Sequence, residues 1–251
     1  MNSSNNTGLR LLLTFLWIGC LLDKTSAQLV DSGGIRSLLE KVNRTYRQAD
    51  HLSFAVKYVY TDAGLQSADS LLGTIQLDKL HCRMVIDNTE SVVTDKYAIR
   101  VITDNKLIYV SGKPNTGMPD LLSMTDSLLA HVRSVRIQRQ GSFRVMTIDM
   151  PPGQVYSRVE MTIDTVTGYL QRVAYSIHTA GLVGKEMVES PGHPAPYQAQ
   201  GVITALFSRY EHGRFDDNLF DETKYFTRSA GRFEPAGRYK DYQIFLASSN
   251  L

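Results

Sequence analysis

The sequence predicts a mainly β protein of the α+β class, built from about ten or eleven strands and two helices. Three observations predict it. Apolar and polar residues alternate over short runs through most of the chain. Turn signals such as Thr61-Asp62-Ala63-Gly64, Asp87-Asn88-Thr89-Glu90 and Asp164-Thr165-Val166-Thr167-Gly168 separate those runs. Helical spacing of apolar residues occurs in only two stretches.

With 251 residues the chain fits one all-β-sized domain, and residues 28–251 are read as that domain. A hydrophobic share of 43%, a charged share of 21% and 13 tyrosines describe a folded protein rather than a disordered one. The net charge of +2 gives no basis for nucleic-acid binding.

Residues 1–27 read as a secretory signal peptide: Arg10 precedes an apolar run over 11–22, and Thr25-Ser26-Ala27 forms a small-residue cleavage site before Gln28. The run falls short of the roughly 20 residues of a membrane span. Export to the periplasm is the expectation. The alternative is a lipid anchor at Cys20, which follows Leu16-Trp17-Ile18-Gly19, a stretch resembling a bacterial lipoprotein box. Cleavage after Ala27 leaves Cys82 as the only cysteine, so no intramolecular disulfide is expected.

Within the domain, Ile35, Leu38, Leu39, Val42 and Tyr46 recur at helical spacing, which predicts an amphipathic helix covering one face or opening of a sheet. The period then changes to two. Phe54, Val56, Tyr58 and Tyr60 share one face of a first strand. Further strands are expected over 71–77, 81–86, 91–94, 97–103 and 107–110, with Asp104-Asn105 as a hairpin turn. A second short helix, opened by Pro119-Asp120, carries Leu121, Leu122, Met124, Leu128 and Leu129 and is apolar around much of its girth. Strands resume over 134–138, 143–150, 156–164, 169–178, 199–210 and 241–246. The Gly- and Pro-rich stretch 179–198 reads as one long loop, and loops above about 12 to 15 residues tend to carry function or move.

No nucleophile elbow, zinc-binding helix motif, paired C-x-x-C or phosphate-binding glycine loop is present, and the six histidines stand singly without metal-ligand spacing. No cofactor and no enzymatic activity are therefore expected. Asp216, Asp217, Asn218, Asp221 and Glu222 lack the alternating pattern and central glycine of a calcium loop and read as a solvated turn. Lys57, Lys79, Arg83, Arg100, Arg144 and Arg172 lie within or beside β-type runs, so each faces water or points into a polar-lined cavity. Cys82 alternates with Met84 and Ile86 and reads as a small buried hydrophobe.

The stretch 73–110 resembles the LolA/LolB-like bacterial lipoprotein carriers. Gly73-Thr74-Ile75-Gln76-Leu77 matches a strand of that family, Lys79-Leu80 stands where the family has a basic-Pro turn, and Thr103-Asp104-Asn105-Lys106-Leu107-Ile108-Tyr109-Val110 matches its acidic hairpin into an aromatic strand. Leu80 replaces the usual proline and Asn105 the usual glycine. The order of elements agrees over most of the chain. The resemblance implies a half-open antiparallel β-barrel closed by two helices, which binds lipoprotein or lipid acyl chains and catalyses nothing. It also implies that Lys79 lies near the cavity mouth and that Leu77, Leu80, Leu121, Leu122 and Leu128 line the cavity. Membrane contact would be peripheral or through Cys20. The alternative function is an envelope interaction or assembly protein that uses the same fold, with protein partners and no lipid transport.

Overall fold

The computed structural model describes residues 32–62, 69–112, 132–178, 200–216, 218–229 and 231–247. The second expected helix, the loop over 179–198, the signal peptide and Cys20 lie outside the described residues.

Helix α1 (Ser32–Arg47) follows the expected spacing. Ile35, Leu39, Val42 and Tyr46, one stripe of its surface, are at most 4% exposed. Arg44 and Arg47 sit in its last turn, where cations complement the carbonyl end of the helix dipole.

Strands β1 (Leu52–Asp62), β2 (Asp69–Asp78), β3 (His81–Ile86), β4 (Thr89–Val93), β5 (Tyr97–Ile102) and β6 (Leu107–Gly112) form an antiparallel meander. A second meander contains β7 (Ser134–Gln140), β8 (Phe143–Asp149), β9 (Tyr156–Asp164), β10 (Leu170–His178) and β11 (Gln200–His212). Pairing of β1 with β11 joins the two meanders into one sheet. With a terminal strand β14 (Gln243–Leu246), the strand order is β14-β6-β5-β4-β3-β2-β1-β11-β10-β9-β8-β7, and the sheet is open, with β14 and β7 at its edges. The fold is therefore mainly β, of the half-open barrel kind.

Its twelve main-sheet strands slightly exceed the ten or eleven expected. Strand β14 runs parallel to β6, which makes the sheet mixed. Two further strands, β12 (Phe226–Ser229) and β13 (Arg232–Pro235), form a separate hairpin. The sequence gives little sign of these, because F-T-R-S and R-F-E-P are too short and too polar to show alternation.

Opposed residues of paired strands share a face, so the register assigns every side chain. One face carries Phe54, Val56, Ile75, Leu77, Met146, Ile148, Met161, Ile163 and Val173, and packs with α1 into one core. That core reaches from β3, through Met84 and Ile86, to Ile137 on β7, so the sheet curls around α1. On the opposite face, Val92, Ile99, Val101, Ile108 and Val110 are covered by Tyr225, Phe226 and Tyr239. Full burial of such side chains contributes about 1.5–3 kcal/mol each. Residues 218–229 and 231–242 are thus a second cover on the outer face rather than a loop between strands.

Gly73 sits where two strands come closest. A Cβ there would lie 2.6 Å from the Val85 carbonyl oxygen and 2.7 Å from Ile86 Cγ1.

Candidate functional site

The helix-side face is divided. α1 covers it from β7 across to β3, while on β4–β6 the same face carries a groove of about 640 Å³. That volume is within the roughly 300–1,000 Å³ range of small-molecule sites.

The register builds the floor of the groove. Ser91 on β4 opposes Arg100 on β5, which in turn opposes Tyr109 on β6. Towards one end, Val93 opposes Ala98 and Ala98 opposes Ser111; towards the other lies Ile102. Val93, Ala98 and Ile102 give the floor its apolar character, Ser91 and Ser111 supply hydroxyls, and no carboxylate lines it. Tyr109 is held flat by Phe245 of β14, with ring centroids 5.6 Å apart.

Arg100 points from the middle of this floor. Three other strand-borne arginines behave differently. Arg83 Nε donates to Glu90 Oε1 at 2.7 Å, Arg158 Nε to Asp149 Oδ1 at 2.7 Å, and Arg172 pairs with Glu160. Among the described residues Arg100 has no carboxylate partner.

The outer face carries a second polar centre at Glu90, which is 8% exposed. Its carboxylate accepts hydrogen bonds from Arg83, from the Tyr225 hydroxyl at 2.8 Å, and from Arg238 and the Tyr239 hydroxyl at 3.1 Å. Burial pushes this carboxyl up, and the Tyr225, Arg83 and Tyr239 hydrogen bonds with the Arg83 charge outweigh it, so it stays below its ordinary value. Because its oxygens are occupied by partners from both β3 and the outer cover, Glu90 fastens that cover to the sheet.

The expected site residues distribute as follows. Leu77 is 2% exposed and lies in the core with α1. Lys79 and Leu80 form the β2–β3 hairpin tip, with Lys79 at φ 54 and Leu80 59% exposed. The Lys79 amide donates to the Ala49 carbonyl just past α1, and its Nζ lies 4.0 Å from Asp50. The tip adjoins the β4–β5 turn through the His81–Asp95 contact of 3.1 Å, so it stands at the Val93 end of the groove. Leu121, Leu122 and Leu128 lie outside the described residues.

Cys82 is half-buried beside the core, and burial pushes its thiol up to about 11, which keeps it protonated and unreactive. Asp216 and Asp221 accept backbone N–H bonds from Asn218 and Thr223, the task of turn residues. No cluster of metal-ligating side chains occurs among the described residues, and no described helix is long and apolar enough to cross a membrane.

Neither a protein-family model nor a curated protein sequence matches the chain. Solved structures do. An uncharacterized conserved protein from Thermus thermophilus is similar over 85% of this chain and 99% of its own, at 8% identity and a TM-score of 0.45. A LolA superfamily protein from Nitrosomonas europaea is similar over 74% of this chain and 97% of its own, at 10% identity and a TM-score of 0.32. The Mycobacterium tuberculosis lipoprotein LppX is similar over 74% of this chain and all of its own (100%), at 12% identity and a TM-score of 0.37.

Proposed function

We propose that this protein is a non-enzymatic carrier or binding protein for lipoproteins or other acyl-chain ligands in the bacterial cell envelope. The observation that supports the reading is the groove on β4–β6, an apolar surface on the inner face of a curled sheet that α1 leaves open. Each methylene buried there contributes about 0.8 kcal/mol, so eight of them supply roughly 6 kcal/mol before the entropy of association is subtracted. No covalent step is needed. Lys79 and Leu80 stand at the mouth; Leu121, Leu122 and Leu128, which the resemblance implies as further lining, lie outside the described residues. Export follows from the signal peptide over 1–27, with an anchor at Cys20 as the alternative; intact mass separates a chain starting at Gln28 from one carrying diacylglyceryl Cys20.

Native mass spectrometry of the full mature protein from a periplasmic extract tests the reading. Acyl-chain mass is expected on the wild type and should disappear in Ile102→Glu, which places a charge on the apolar floor. A wild type that leaves the cell empty and takes up no lipid in vitro overturns it.

The interaction alternative draws support from a separate surface. On the outer face Leu72 and Leu206, 69% and 39% exposed, flank Lys57 across three neighbouring strands. If that patch is the working surface, Leu72→Asp combined with Leu206→Asp abolishes a stable envelope complex and leaves lipid content untouched.

A further inference from the structure

We infer that the groove selects an anionic amphiphile, whose carboxylate or phosphate pairs with Arg100 while its chain lies along Val93, Ala98 and Ile102. The inference deepens the acyl-binding reading and rests on it.

Three observations carry it. Arg100 stands at the centre of the three-strand floor, opposed on one side by Ser91 and on the other by Tyr109. The groove lining holds no acidic residue, and Arg100 has no carboxylate partner among the described residues. Four arginines on other strands of the same sheet are matched by a carboxylate, Arg83 by Glu90, Arg136 and Arg158 by Asp149 and Arg172 by Glu160, while Arg139 and Arg144 donate to the Gly141 and Phe143 carbonyls.

The chemistry then follows from desolvation. In the empty groove, water solvates the guanidinium. A chain laid over the neighbouring apolar residues displaces that water, and a guanidinium stripped of water without a counter-charge is strongly unfavourable. An uncharged lipid leaves that deficit in place. An anionic headgroup removes it, because the planar guanidinium offers a two-pronged set of donors to carboxylate or phosphate oxygens. The Ser91 hydroxyl is placed to satisfy a remaining oxygen lone pair, whereas that of Ser111 donates to the Ala98 carbonyl. A fatty acid and a phospholipid both present this chemistry, and the measurement separates them.

Isothermal titration of the delipidated full mature chain uses three probes: oleate, dioleoylphosphatidylglycerol and uncharged oleyl alcohol. Wild-type protein is expected to bind at least one anionic probe about tenfold or more tightly than oleyl alcohol. Tight binding of oleate alone identifies a carboxylate ligand, and tight binding of the phospholipid alone a phosphate. Arg100→Gln should abolish the preference, because it weakens binding of the anionic probes and removes the desolvation deficit that oleyl alcohol meets, and Arg100→Lys should restore part of the preference. Unfolding curves that superimpose on wild type establish that the variants fold. Equal affinity for charged and uncharged probes, or full anion preference in Arg100→Gln, overturns the inference and leaves acyl binding intact. Failure of all three probes to bind wild type overturns both.

Discussion

The Tyr225 hydroxyl donates to Glu90 at 2.8 Å across 135 residues of sequence, and so ties the outer cover to β4. Removing one member of a buried polar group leaves the others unsatisfied. Glu90→Ala strands Arg83, Tyr225 and Tyr239 together and is expected to destabilise the protein by about 2–4 kcal/mol in urea unfolding. A loss below about 0.5 kcal/mol, the range of ordinary surface substitutions, would show that the cover is held by its aromatic side chains alone.

The same carboxylate sets an acid limit. Its pKa in the folded protein lies below the ordinary value, so the folded state binds this proton less readily than the unfolded state does. The stability it contributes is complete above about pH 4.3, the unfolded glutamate value, and is lost as pH falls through the lower folded value. Glu90→Gln should therefore flatten the acid limb of the stability curve relative to wild type. Identical acid limbs would assign that loss to other carboxylates.

Tyr46 fastens α1 in a comparable way. It accepts the Leu170 amide at 3.0 Å and lies 2.7 Å from the Tyr210 hydroxyl, which itself donates to the Leu170 carbonyl. Tyr46→Phe keeps the ring and its packing and removes the acceptor, for an expected cost of about 1–2 kcal/mol. Hydrogen exchange at the Leu170 amide should accelerate. Burial pushes the Tyr46 phenol up to about 12, so the stability linked to it is present below pH 10 and is lost as pH rises towards 12. The variant should show a shallower alkaline decline.

Gly73→Ala tests the closest approach within the first meander. The added methyl meets the Val85 carbonyl oxygen, a backbone atom that yields only if β2 and β3 separate. A loss of about 1–3 kcal/mol is expected, the usual cost of overpacking. An unchanged melting temperature would mean that the pair parts at little cost.

Much of this fold is legible in the sequence because alternation is a local signal. Strands such as His81–Ile86 and Tyr156–Asp164 have the bounds that periodicity alone assigns them. The outer cover is not legible, because Tyr225, Phe226 and Tyr239 are spaced at neither a helical nor a strand period. Their common purpose appears only against Val92, Ile99 and Val110, residues distant in sequence. The candidate site shows a similar divide. Alternation marks Arg100 as a charge on a strand but does not say which face is wet, since Arg83 and Arg100 look alike until the register sends them to opposite sides. Leu77, expected at the cavity, is spaced like any core residue and is packed as one beneath α1.

The seam between β1 and β11 also has a consequence in time. Each meander is assembled from neighbours in sequence, yet Tyr58 finds Ala205 only after the intervening chain is in place. Long-range pairing of this kind slows folding, and until the seam closes both half-sheets present an unpaired border beside an uncovered apolar surface. The hours or milliseconds a newly made chain spends in that state, rather than its final stability, decide how much of it aggregates before it works.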